Sequence, residues 1–179
     1  MAEETGLIFE LSNWVLQQVV GDIQRVATAF GDKPFPIVSL NLSPREFRRP
    51  GFVDRVDTAI RQAGILPDRL RLEITESMTM DQVEQVIDKM YALKDRGISF
   101  SIDDFGTGYS SLAYLKRLPV DSLKIDRSFV KDILVDPNDA IIVQTIIAMA
   151  DNLGIESVAE GVESDAVLAF LREKGCRYF

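Results

Sequence analysis

The sequence predicts an α/β fold, a (β/α)8 barrel that is incomplete in this chain, and three observations predict it. Helical stretches alternate with short β-branched runs along the chain, the pattern of parallel strands joined by helices. Glycine or proline closes most of the helical stretches. Carboxylates, an amide and a lysine stand at the C-terminal ends of the strand runs, where a parallel barrel gathers its functional residues. A doubly wound open sheet is the alternative, and it does not require polar residues at nearly every strand end.

The elements follow in order. A first helix is expected over 6–30, with Leu7, Leu11, Trp14, Val15 and Val19 at helical spacing. IVSLNLS (37–43) is the first strand, and FVDRVDTAIRQAG is a helix stopped by Gly64 and Pro67. LRLEITES (70–77) is the second strand, followed by the helix DQVEQVIDKMYALKDRG with Gly97 at its end. SFSIDDFG (99–106) is the third strand, and YSSLAYLKRL a short helix halted at Pro119. SLKIDRS (122–128) is the fourth strand; NDAIIVQTIIAMADNLG is a helix capped by Asn138 and closed by Gly154. ESVAEGV (156–162) is the fifth strand, the helix SDAVLAFLREKG starts on a Ser164 cap and ends at Gly175, and CRYF starts a sixth strand. Six strands fall short of eight. The chain therefore reads as one domain over 1–179, trimmed at both ends.

Composition narrows the chemistry. The length of 179 residues is ample for one sizeable core, and the apolar fraction is that of a globular protein. A net charge of −8 disfavours binding to polymeric nucleic acid, which needs a basic surface. A small phosphorylated ligand stays compatible if metal ions neutralise the carboxylates. The one cysteine, Cys176, allows no intrachain disulfide and fits a reducing, cytoplasmic compartment; it reads as a small buried hydrophobe. The chain has no histidine, which excludes serine–histidine triads, HExxH zinc sites and every other histidine mechanism within it. A metal site must then use oxygen ligands and suits Mg2+, Mn2+ or Ca2+ rather than zinc. No signal peptide is visible, and the longest apolar run, 141–150, is too short to span a bilayer.

The strand ends carry Asn41, Glu73 and Glu76, Asp103 and Asp104, Lys124 and Asp126, then Glu160 and Glu163. Each has a plainer reading. Asn41 alone is more often a turn residue, Glu76 a solvated or loop-anchoring acid, Lys124 half of a structural ion pair, and Asp126 a cap. Glu73 and Glu160 sit within apolar strand ends, where a carboxylate is costly without a partner, which favours function. Successive strand residues face opposite sides, so Asp103 and Asp104 both reach the mouth only if the strand ends there. A carboxylate shared by two metals about 3.5–4 Å apart is the arrangement that hydrolyses phosphodiesters. Gly106 and Gly108 suit a mobile loop better than a P-loop, whose Lys-Ser/Thr is missing. Arg45, Arg48 and Arg49 form a basic cluster that reads as a solvated face before it reads as a phosphate site.

NLS at 41–43, EITE at 73–76, DDFGTGYSS at 103–111, LKID at 123–126 and AEGVE at 159–163, in that order, resemble the EAL family of bacterial cyclic di-GMP phosphodiesterases. AEETGLI at 2–8 is also similar to the segment that follows that family's opening strands. The resemblance implies hydrolysis of cyclic di-GMP to linear pGpG with two divalent cations, Mg2+ or Mn2+. It implies Asn41, Glu73 and Asp103 around the first ion, and Asp103, Asp104 and Glu160 around the second. Lys124 would orient the attacking water, and Glu76 would hold the loop 105–112, with Lys124, Glu160, Glu76 and Asp104 as the catalytic set. Ser43, Phe105, Gly106, Thr107, Gly108 and Glu163 would serve the substrate or the loop. It further implies a homodimer, cytoplasmic or membrane-anchored through its parent, fused to sensor or GGDEF domains. The Glu-Ala-Leu signature and the Gln-Gly-Tyr segment are not in this sequence, so this chain is expected to be a poor enzyme by itself. A degenerate domain that binds cyclic di-GMP as a receptor, an unrelated metal-dependent lyase using Lys124 as base, and a partner-binding scaffold are the competing readings.

Overall fold

Short apolar runs form five strands, each followed by helix, in a computed structural model that describes residues 7–31, 33, 35–79, 83–108 and 112–179. The elements are α1 (Leu7–Phe30), β1 (Val38–Asn41), α2 (Pro44–Arg48), α3 (Phe52–Ala63), β2 (Leu70–Thr75), α4 (Val83–Lys94), β3 (Ser99–Phe105), α5 (Leu112–Leu115), β4 (Ser122–Ile125), α6 (Arg127–Lys131), α7 (Pro137–Leu153), β5 (Glu156–Ala159) and α8 (Asp165–Glu173). The chain forms two compact units, one of Met1–Ile74 with Gln82–Phe100, the other of Thr75–Asp81 with Ser101–Phe179.

In the first unit β1 runs parallel to β2, with Val38 opposite Leu70 and Asn41 opposite Glu73. Leu70, Leu72, Glu73 and Ile74 are all buried, so β2 is covered on both faces, as parallel strands between helices are. The core is aromatic at its centre. The Phe47 ring meets Phe52 edge-on at 5.3 Å and Phe100 at 6.4 Å. Helix α3 buries Phe52, Val56, Ala59 and Ile60, an i, i+4, i+7, i+8 stripe, and Gly64 closes it in the left-handed conformation.

In the second unit β3 pairs with β4 and β4 with β5, all parallel; Ser122 faces Glu156 and Ile125 faces Ala159. Helix α7 packs on β4 and β5 through Val143, Ile146, Ile147 and Ala150. Ser164 caps α8 by accepting the Val167 N–H, as the sequence predicts.

Four expectations are corrected. The sixth strand is a single bridge between Val158 and Tyr178, because only one residue of CRYF reaches pairing position. Asp136, not Asn138, caps α7: its carboxylate accepts the Asn138 N–H at 2.8 Å, and Pro137 takes the first helical position, where no N–H is needed. The core stripe of α1 is Leu16, Val20 and Ile23, while Trp14 is 59% exposed and Leu11 half exposed. A continuous apolar helix offers several stripes, and the partners at α3 and β1 choose among them. The first strand stops at Asn41 because Pro44 opens the short helix α2. Cys176 is buried, as expected. Among the described residues no helix is long and apolar enough to cross a membrane.

Candidate active site

The central feature of the second unit is a β-bulge. Ile102 of β3 lies opposite Leu123, yet Phe105 lies opposite Ile125, so β3 carries one residue more than its partner between these points. Asp104 occupies the extra step with φ 51°, the left-handed region that a non-glycine residue enters only with support. The strand does not end at the aspartates, as the sequence suggests it must; it continues to Phe105. The bulge, rather than a strand end, cancels the alternation and lets Asp103 and Asp104 face one cluster.

Glu160, one residue beyond β5, completes that cluster: one carboxylate oxygen from each of Asp103, Asp104 and Glu160 lies within 4.8 Å of the others. Its backbone N–H donates to Ile125 O at 3.2 Å. The following Gly161 has φ 71°, and a Cβ there would stand 2.9 Å from Arg127 Cβ, so only glycine fits this turn without a shift. Lys124 points into the cluster. Its Nζ donates to Asp103 Oδ1 at 2.8 Å and lies 2.6 Å from Glu160 Oε1. The single ammonium thus bridges two of the three carboxylates and offsets one unit of their negative charge.

The surroundings divide two neighbouring acids. The Asp104 carboxyl lies above the ordinary carboxylate range, chiefly through lost hydration, then through the charge of Asp103 and the hydrogen bond with Asp126. Asp126 lies below its ordinary range, chiefly through the Ser128 hydroxyl and also through the Ser128 N–H, which donates at 2.8 Å. Asp126 is the N-cap of α6, the role its sequence position suggests.

Glu76 follows β2 and is 4% exposed. Its Oε2 accepts the N–H of Gly106 at 3.1 Å and of Gly108 at 3.2 Å, so this acid does clamp the turn after the DDF strand. Gly108 permits the approach, since a Cβ would sit 3.0 Å from the Glu76 carboxyl. Gly106, at φ 101°, would place a Cβ 3.1 Å from the Phe129 ring. Thr107 folds back, its hydroxyl donating to Asp104 O at 2.8 Å. Phe105 is buried and anchors the turn from below. Residues 109–111 of the expected loop lie outside the described residues.

In the first unit Asn41 and Glu73 are register partners at the C-terminal ends of β1 and β2. Glu73 is 6% exposed, and its carbonyl accepts the Leu42 N–H at 2.9 Å. Ser43 precedes α2 without capping it through its side chain. Glu163 is exposed, just before the Ser164 cap. Sequence reasoning passes over Glu46, which is buried in the middle of α2; an acid in PREF is indistinguishable by sequence from a solvated helix residue.

Three oxygen donors without nitrogen or sulfur match hard divalent cations in donor type and spacing. Two of these three donors, Asp103 and Glu160, are held by the Lys124 ammonium.

A family model described as EAL domain matches residues 1–179. The cyclic di-GMP phosphodiesterase NbdA of Pseudomonas aeruginosa is 46% identical over 176 residues, 98% of this chain and 22% of that protein. The bifunctional diguanylate cyclase/cyclic di-GMP phosphodiesterase MucR of the same organism is 42% identical, over 98% of this chain and 25% of its own length. The chain therefore spans a quarter or less of these relatives. Among solved structures, the PaMucR phosphodiesterase in its c-di-GMP complex superimposes with a TM-score of 0.92 at 41% identity, covering 98% of this chain and 70% of that one. Klebsiella pneumoniae BlrP1, in a calcium/cy-diGMP complex, gives 0.81 at 28% identity, over 94% and 42%. The fold is the α/β, TIM-barrel-like fold of these proteins.

Proposed function

The chain belongs to the EAL domain family, and on that premise we propose that it hydrolyses cyclic di-GMP to linear pGpG in bacterial second-messenger signalling. The observation that carries the reading is the Asp103–Asp104–Glu160 cluster with Lys124 hydrogen-bonded into it.

Asp103, Asp104 and Glu160 are proposed to hold divalent cations, Mg2+ or Mn2+, with Asn41 and Glu73 assigned to the same task by the resemblance. When bound, such ions supply Lewis-acid charge and make water a stronger acid. The side chains of this chain supply the rest. Lys124 donates to the oxygen of the attacking water and turns its lone pair toward phosphorus. A carboxylate of the cluster accepts the proton that the water gives up. A new P–O bond forms, the P–O3′ bond breaks, and the leaving oxygen takes a proton to become the 3′-hydroxyl, leaving a 5′-phosphate on pGpG. Glu76 keeps the 106–108 turn in place beside Asp104, and Ser43 and Glu163 are assigned to the substrate side. The same reading has the chain acting as a homodimer in the cytoplasm, within a longer protein that carries sensor or GGDEF domains.

The test is incubation with cyclic di-GMP and Mg2+ or Mn2+, followed by chromatography, for this chain, for a version extended at both ends, and for the extended version with Asp103→Asn. Formation of pGpG that the substitution abolishes supports the phosphodiesterase. Binding without cleavage by the extended protein would replace it with a receptor.

A further inference from the structure

Three carboxylates and one ammonium leave the cluster of the second unit negative. The substrate proposed for it is negative too, with a charge on each of its two phosphodiesters. Divalent ions among the carboxylates answer the phosphodiester that reacts. The one that does not react needs a cation of its own.

The strand ends of this unit offer one. The described residues that directly follow its strands are 76–79, 106–108, 126–128 and 160–164, and among them the only basic side chain is Arg127. Lys124 is already held by Asp103 and Glu160. Arg127 is the first residue of α6, directly after the Asp126 cap. Its backbone packs against the turn that follows Glu160: a Cβ on Gly161 would stand 2.9 Å from Arg127 Cβ and 3.7 Å from its Cα. The side chain is exposed, and no hydrogen bond or ion pair to its guanidinium is found among the described residues. Its charge still reaches the site. It helps to hold the Asp126 carboxyl low, and Asp126 shares a hydrogen bond with Asp104 of the cluster. A guanidinium presents paired N–H donors that match two phosphate oxygens, which an ammonium does not. We infer that Arg127 binds the non-bridging oxygens of the phosphodiester that is not cleaved. This inference rests on the cyclic di-GMP reading above and adds a substrate-binding residue to it.

Steady-state hydrolysis of cyclic di-GMP with Mn2+ by the extended protein tests it, with chromatography as the readout, for the wild type, Arg127→Ala, Arg127→Lys and Lys131→Ala. Lys131 is an exposed cation one turn further along α6 and serves as the control for a general loss of positive charge. Arg127→Ala is expected to raise KM about tenfold and to leave kcat within about twofold, the pattern of a contact made equally in the ground and transition states. Arg127→Lys keeps the charge without the fork and is expected to fall between wild type and Arg127→Ala. Lys131→Ala is expected to leave KM unchanged. The Tm of all three variants should stay within about 2 °C of wild type, since exposed side chains without ion pairs contribute little to stability. An unchanged KM in Arg127→Ala overturns the inference. An equal rise in Lys131→Ala also overturns it, since the effect is then a general field and not a contact. A fall in kcat as large as the rise in KM overturns the assignment to the uncleaved phosphodiester. If the wild type makes no pGpG, the phosphodiesterase reading itself fails, and the inference with it.

Discussion

Glu76→Gln is the substitution whose effect follows most directly from the geometry. One carboxylate oxygen accepts two backbone N–H groups, at 3.1 and 3.2 Å, from Gly106 and Gly108. The amide oxygen of glutamine is nearly isosteric and still accepts both; what disappears is the charge. A hydrogen bond to a charged group contributes about 1 kcal/mol more than a neutral one, so two lose about 2 kcal/mol. Gly106 and Gly108 are exposed, and water compensates for roughly half, leaving about 1 kcal/mol. That is about a fivefold change in the opening equilibrium of the turn. Amide hydrogen exchange followed by NMR reads it at these two glycines, with Gly154 as control, whose N–H donates to Asp151 O at the far end of α7. The expected result is exchange about five times faster at Gly106 and Gly108 and unchanged at Gly154. Unchanged exchange at the two glycines refutes the clamp, and equal acceleration at all three shows global loosening instead.

Further outcomes are expected. Mn2+ at a hundredfold excess over its dissociation constant should stabilise the protein by about 2.7 kcal/mol, a rise of about 5–10 °C in Tm. Asp103→Asn should remove most of that rise, and a chelator should reverse it, both seen by scanning fluorimetry. Gly161→Ala forces an alanine into φ 71° with its Cβ 2.9 Å from Arg127 Cβ. The cost should be about 2–3 kcal/mol, with a Tm fall of about 5–10 °C in calorimetry. Ser128→Ala deletes the largest cause of the low Asp126 pKa, so NMR titration should find the carboxyl moved up toward its ordinary range. A depressed acid contributes stability that is present above its unfolded pKa and lost as pH falls through the folded one. The variant should therefore lose less stability than wild type across that acidic window. Ser164→Ala should cost about 1 kcal/mol in chemical denaturation, through the lost Val167 cap.

Much of this was legible before any coordinates, for physical reasons. Strand runs such as LRLEIT and SLKI have no helical stripe, and glycines at 64, 97, 154 and 175 mark helix ends that the backbone uses, so the alternation was plain. Lys124 between Leu123 and Ile125, and the Asp103–Asp104 pair in an otherwise apolar strand, were visible as charges that need a partner or a metal when buried. Other features are tertiary. Nothing in SFSIDDF announces a bulge, because the extra residue exists only relative to β4. The buried face of α1 depends on which of its apolar stripes finds a partner, and Trp14 is left largely exposed. Glu46 is charged by sequence and buried only by packing. Asp136 outcompetes Asn138 as a cap because Pro137 fixes where the helix begins.

The bulge at Asp104 makes the site sensitive to chain length as well as to residue identity. Exchange of Asp104 for another residue leaves a damaged cluster on an intact frame. Deletion of one codon between Ile102 and Phe105 is different, since it brings β3 back into step with β4 and sends the side chain after position 103 to the opposite face. Lys124 and Glu160 would be present and β3 would keep step with β4, yet the cluster could not assemble. When relatives are compared, a gap at this point says more about a lost cluster than a mismatch does.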